Sequence, residues 1–164
     1  MEKYISKVKE FLNIMAIRKI VTQEDEILHK KCRPVEKFDE RLWQLLDDMA
    51  ETMYKANGYG IAGPQVGVLR QVVVIDVGEG KLEVINPTIT QTSGQVRDVE
   101  GCLSVPNRYG YVTRPKTCVL KAQDRFGNPY EMELKDMFCR CACHETDHLK
   151  GHLFTELVEE WVEE

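Results

Sequence analysis

The chain is 164 residues long, 43% hydrophobic, and carries a formal net charge of −5. That length and apolar content suit one domain with an adequate core, and the acidic balance argues against broad nucleic-acid binding. No apolar run approaches the roughly 18 residues that cross a bilayer, and the charged N-terminus, MEKYISKVKEFLNI, has no uninterrupted apolar stretch of the secretory kind.

In chain order, Tyr4, Ile5, Val8, Phe11 and Leu12 lie near helical spacing and read as a short amphipathic helix. Met15-Ala-Ile-Arg reads equally well as a start, which makes residues 1–14 an extension. Leu42, Leu45, Leu46, Met49 and Met53 follow the i, i+3, i+4, i+7 pattern of a helix over 39–56, capped by Asp39 or a nearby acid. Residues 57–67, NGYGIAGPQVG, end it with four glycines and a proline. QVVVIDV (71–77) and KLEVINP (81–87) flank Gly78-Glu79-Gly80 as a hairpin. Strand-like stretches run through GYVTRPKTCVLKAQD (110–124) and YEMEL (130–134), joined by the Arg125-Phe-Gly-Asn-Pro turn. From Asp136 to Lys150 the pattern is helical again, with Gly151 suited to its C-cap. Thr155, Leu157, Val158 and Trp161 suggest a closing helix over 155–164, a segment with five glutamates and no Lys or Arg. No repeat or linker interrupts the chain. The expectation is a single α+β domain over 1–164, with small antiparallel sheets packed around a central helix that carries the histidines, and a short acidic C-terminal helix.

The segment CHETDHLKGH, Cys143 to His152, holds three of the four histidines. Residues four apart on a helix are offset by about 40° around the axis and about 6 Å along it, so His144 and His148 can reach one ion. Glu145, about 100° round, can reach a water held there. A polar helix face is an equal alternative, since H-E-x-x-H is short enough to arise by chance. A catalytic site also needs a third protein ligand and an open position. Cys141 stands seven residues from His148, about 10 Å along the axis, and His152 fails from His144 by the same measure. Position 154, where one zinc-protease pattern places its last histidine, is Phe154, and almost no chain remains for a downstream glutamate. Any third ligand comes from upstream, on another element.

Upstream, Glu100-Gly-Cys-Leu-Ser-Val-Pro106 puts Cys102 in a short non-helical stretch, where residue type alone favours a buried apolar thiol. The glycine loop over 58–67 lacks the G-K-[ST] of a phosphate loop and by itself reads as a helix-ending turn. The chain has six cysteines, and without a secretory signal they point to a reducing, cytoplasmic setting. Cys139, Cys141 and Cys143 lack C-x-x-C spacing and have no second cysteine cluster, so they read as core thiols, as do Cys32 and Cys118. His29-Lys-Lys-Cys-Arg33 reads as a solvated basic patch. Asp147 either orients a histidine or simply occupies the helix surface.

Taken together, G-Y-G-I-A-G-P-Q-V-G (58–67), E-G-C-L-S (100–104) and H-E-T-D-H-L-K-G (144–151) resemble the three signature motifs of the peptide deformylase family, in that family's order and at comparable separations. The similarity runs from about Met15 to Phe154 and includes V-x-R-P at Val112 to Pro115 and the A-x-D-R-x-G turn. Two positions depart from the family's usual pattern. Ala62-Gly63 stands for A-A, and Cys143 for glutamine; neither position supplies a ligand or base in the family.

The resemblance implies one catalytic domain in which Cys102, His144 and His148 bind one divalent transition metal. Fe(II) is typical of the family, and one thiolate with two imidazoles also suits Zn(II), Ni(II) or Co(II). It further implies that Glu145 is the general base and that the Gln65 amide and the Leu103 backbone N–H stabilise the oxyanion. Gly58, Tyr59 and Gly60 would bind substrate, the glycines leaving backbone for an extended peptide to pair with. The implied reaction removes the formyl group from N-formylmethionyl nascent chains and releases formate. The implied setting is a cytoplasmic monomer with at most weak or transient ribosome contact, no membrane partner and no direct nucleic-acid binding. Two other classes compete: a zinc endopeptidase, disfavoured by the missing downstream ligand, and a zinc-stabilised binding module, which needs neither Glu145 nor Gln65.

Overall fold

The structure, a computed structural model, describes Met1 and residues 16–163; the helix expected over residues 4–12 lies outside the described residues. Helix α1 (Glu40–Lys55) begins where the Asp39 carboxylate accepts the Leu42 N–H at 3.3 Å. Its apolar stripe, Leu42, Leu45, Leu46, Met49 and Met53, is buried against Ile61, Val72, Val74 and Ile85. Asn57, at φ 57°, then turns the chain out of the helix.

Five strands follow in the order β1 (Gly60–Ala62), β2 (Val72–Ile75), β3 (Leu82–Ser93), β6 (Thr117–Gln123) and β7 (Pro129–Lys135), all paired antiparallel. Helix α2 (Asp136–Leu149) covers the face opposite α1. Successive β2 side chains therefore go to different helices: Val72 and Val74 to α1, Val73 and Ile75 to the α2 side. Burial on both faces explains why this strand reads as an unbroken apolar run. Each aliphatic side chain so buried contributes about 1.5–3 kcal/mol, so this layer is what holds α2 in place. At its far end, Gly151 takes φ +84°, and a Cβ there would lie 2.6 Å from the His29 carbonyl oxygen.

The hairpin expected around Gly78-Glu79-Gly80 is present, with Val72 opposite Ile85, but β3 continues to Ser93. Asn86 and Gln91, both at positive φ, fall at its two register shifts. The stretch 110–124 is two strands in two sheets. β5 (Val105–Arg114) pairs with β4 (Val96–Cys102) and β8 (Glu160–Trp161), whereas β6 returns to the larger sheet. Pro115 has no N–H for a ladder and marks the crossing.

The C-terminal helix is the main correction to the sequence reading. Phe154–Glu156 form a 3-10 turn and Glu160–Trp161 pair with Gly110 and Tyr111 of β5. Glu156, Glu159, Glu160 and Glu163 would stand three or four apart on a helix with no basic partner, and such like-charge pairs are destabilising. Extended, the segment lets Arg97 reach Glu159 at 3.4 Å and Glu160 at 2.8 Å. Val158 and Trp161 pack beside Phe154, Val105 and Val112, and Val158 fills the space where a Cβ on Gly110 would sit.

Candidate active site

α2 carries His144, Glu145 and His148, all buried. The third converging group is Cys102, at the C-terminal end of β4 in the other sheet. Its sulfur lies 3.4 Å from His148 Nε2, and the donor atoms of Cys102, His144 and His148 are all within 4.8 Å of one another. Cys141, excluded by helical rise, instead points its thiol at the Tyr59 carbonyl at 3.5 Å.

Behind His144 stands a residue that sequence reasoning missed. Glu100 lies 2.8 Å from His144 Nδ1, which leaves Nε2 for the site. The same carboxylate accepts from Arg114 at 2.9 and 3.1 Å and from Arg140 at 2.6 Å. Burial works against its charge, but the hydrogen bonds from His144 and Arg114 hold its pKa down to about 2. A carboxylate in this position fixes the tautomer and ring orientation of a metal-binding histidine. Asp147 does not do this; it accepts from Arg114 at 2.7 Å and so braces the network from outside. Two signals in the chain hinted at the cluster: Glu100 is two residues before Cys102, and Arg114 is the arginine of V-x-R-P.

Glu145 is placed differently. Its Oε2 is buried and has no hydrogen-bond partner among the described residues, and burial pushes its pKa up to about 7. Oε1 lies 3.9 Å from His144 Nε2. Gly60 makes room for it, since a Cβ there would lie 2.7 Å from Cys141 Sγ and 2.8 Å from Glu145 Cγ. Gly60 is thus buried, and its missing side chain serves the approach of α2 to β1. Gln65 is also buried, and its amide is oriented at both ends. Oε1 accepts the Ala62 N–H at 2.9 Å, which turns Nε2 toward Ser104 Oγ at 3.1 Å and Cys102 Sγ at 3.6 Å.

Cys102, His144 and Glu145 line a cleft of about 560 Å³ whose walls include Gly58, Tyr59, Gly60 and Leu103. Tyr59 is 61% exposed at the rim. Leu103 packs over Gly58, where a Cβ would meet its Cδ1 at 2.8 Å. Among the described residues β1 pairs only with β2 and is an edge strand of its sheet. One cysteine sulfur and two imidazoles at this spacing, beside a buried Glu145 Oε2 that has no partner among the described residues, fit a transition-metal ion with N and S ligands.

The profile of the polypeptide deformylase family matches residues 17–163. A peptide deformylase of Caldicellulosiruptor bescii is 60% identical over 150 residues, covering 92% of this chain and 90% of that one. Among solved structures, the peptide deformylase of Legionella pneumophila superposes with a TM-score of 0.85 at 43% identity, covering 88% of this chain and 87% of that one. The enzyme of Thermotoga maritima gives a TM-score of 0.86 at 38% identity, covering 88% and 99%.

Proposed function

The chain belongs to the polypeptide deformylase family, and on that footing we propose that Cys102, His144 and His148 hold its metal while Glu145 moves the proton. The enzyme is a metallo-hydrolase that removes the formyl group from N-formylmethionyl nascent polypeptides and releases formate. For the metal we take Fe(II), the family's usual ion, since the donor set also suits Zn(II), Ni(II) and Co(II). When bound, it supplies Lewis-acid chemistry, polarising the formyl carbonyl and making water more acidic.

The remaining work belongs to side chains and backbone. Glu145 accepts a proton from water as the water oxygen bonds to the formyl carbon. The C–N bond then breaks, and Glu145 gives that proton to the leaving amine. The Gln65 amide N–H and the Leu103 backbone N–H stabilise the negative charge on the formyl oxygen. The anchoring of Gln65 Oε1 on Ala62 supports this role, because a fixed amide needs no reorganisation as charge develops. The peptide lies along the open edge of β1, past Gly58, Tyr59 and Gly60, and pairs through its main chain. Such pairing reads little sequence beyond the first side chain, as suits many different nascent chains. The enzyme acts as a cytoplasmic monomer in transient contact with the ribosome. No helix among the described residues is long and apolar enough to cross a membrane.

The observation that carries the assignment is the meeting of Cys102 with the two α2 histidines beside the unpartnered carboxylate of Glu145. Formate release from an N-formylmethionyl peptide tests it. Chelation should abolish release, and Fe(II) or Ni(II) should restore it. Undiminished release from fully demetallated protein would overturn the ligand assignment.

A further inference from the structure

α2 carries two pairs of ligand-type side chains at one-turn spacing. His144 and His148 face Cys102 of β4; Cys139 and Cys143 repeat the spacing about 140° around the axis, each five residues before the corresponding histidine. This second pair meets Cys118 of β6. Cys118 and Cys139 sulfurs are 3.0 Å apart, and the three sulfurs all lie within 4.8 Å of one another. None is in a disulfide. The sequence alone offered no partner for the C-x-C-x-C run, because Cys118 is brought in by the sheet.

We propose that Cys118, Cys139 and Cys143 form a second metal site, distinct from Cys102, His144 and His148, for one soft thiophilic d10 ion such as Cd(II), Zn(II) or Cu(I). Sulfurs around one ion at about 2.3 Å stand about 3.8 Å apart in tetrahedral geometry and about 4.0 Å apart in trigonal geometry. Cys118 and Cys139 stand closer than that and must part slightly to admit an ion, while all three sulfurs lie within 4.8 Å of one another. Burial of a small apolar thiol explains a cysteine such as Cys32 in the same core. It does not explain three sulfurs from a helix and a strand at mutual ligand spacing. An all-thiolate set selects softer ions than the mixed Cys–His set does. Cys118 and Cys139 are fully buried, while Cys143 is half-buried and marks the side from which an ion arrives. An ion here ties α2 to β6 and stabilises the native chain by mass action.

The test uses the full chain with Ni(II) already at the first site, reduced and kept from air, and titrated with Cd(II). One further equivalent of cadmium per chain is expected with nickel retained. It should bring a thiolate-to-cadmium ultraviolet band and a cadmium-113 resonance of an all-thiolate environment. Cys118→Ala and Cys143→Gln should each lose the added equivalent and its band yet keep nickel. Because Cys143 is the least buried of the three, Cys143→Gln carries the test if Cys118→Ala does not fold. Cadmium that only displaces nickel, no added equivalent in the native chain, or an added equivalent that survives in Cys143→Gln would each overturn the site.

Discussion

The two buried carboxylates near the proposed metal ligands make opposite use of burial. Glu145 Oε2 is left without a hydrogen-bond partner among the described residues, and burial pushes the carboxyl's pKa up to about 7. Glu145→Gln should keep the fold and the metal but lose about 10²–10⁴-fold in kcat, because an amide cannot take the proton. Elemental analysis alongside the formate assay checks this, and near-native turnover would require another base. Glu100 is held by His144, Arg114 and Arg140, and its folded pKa of about 2 lies below the ordinary value of 4.5. A depressed carboxylate contributes stability that is complete above its unfolded pKa and lost as pH falls toward the folded one. The metal-free protein should therefore lose part of its stability between pH 4.5 and about 2 through Glu100. In Glu100→Gln the loss over that window should be smaller, although the variant starts about 3–5 kcal/mol less stable, with Arg140 left without a carboxylate partner. Denaturant melts at several pH values would show it; parallel curves for the two proteins would contradict it.

Among the elements, the contact of α2 with β1 sets the position of Glu145, the proposed base. Gly60 leaves no room for a methyl group, since an added Cβ falls under 3.0 Å from both Cys141 Sγ and Glu145 Cγ. Gly60→Ala must move α2 or turn Glu145. A displacement near 1 Å in a reacting group costs on the order of 100-fold in rate. Such a loss in kcat is expected with metal content unchanged, read from formate release and elemental analysis on the same sample. A fully active Gly60→Ala would show that the contact yields without disturbing Glu145.

For the molecule as a whole, the acidic C-terminus bears on the proposed ribosome contact. Glu159 and Glu160 lie along the β5 edge of the small sheet, both paired with Arg97. Apposing that charge to rRNA phosphate adds repulsion, where a basic surface would gain from counterion release. Cosedimentation with ribosomes at low salt should therefore be weak. It should be equal or stronger when Glu156, Glu159, Glu160 and Glu163 are all replaced by Gln. The Arg97 pairs lost in that variant are exposed and screened by solvent, too weak to unfold it. Binding by the intact chain that weakens on neutralisation would refute the repulsion.

Local signals in the sequence determined a good part of this. The stripe of α1, the Gly78–Gly80 hairpin and the histidine helix up to Gly151 are written in consecutive side chains, whose periodicity needs no distant partner. The three motifs, each short, pointed jointly to Cys102, His144 and His148, which the fold does bring together. Tertiary structure alone decided what depends on contacts between elements far apart in the chain. It chose Glu100 over Asp147 as the partner of His144, split 110–124 between two sheets, and drew the C-terminus into a strand against β5. It also set Cys118 beside Cys139 and Cys143. Helical and strand periods report which way a side chain leaves its own backbone, whereas its neighbour across a sheet is fixed by register and packing.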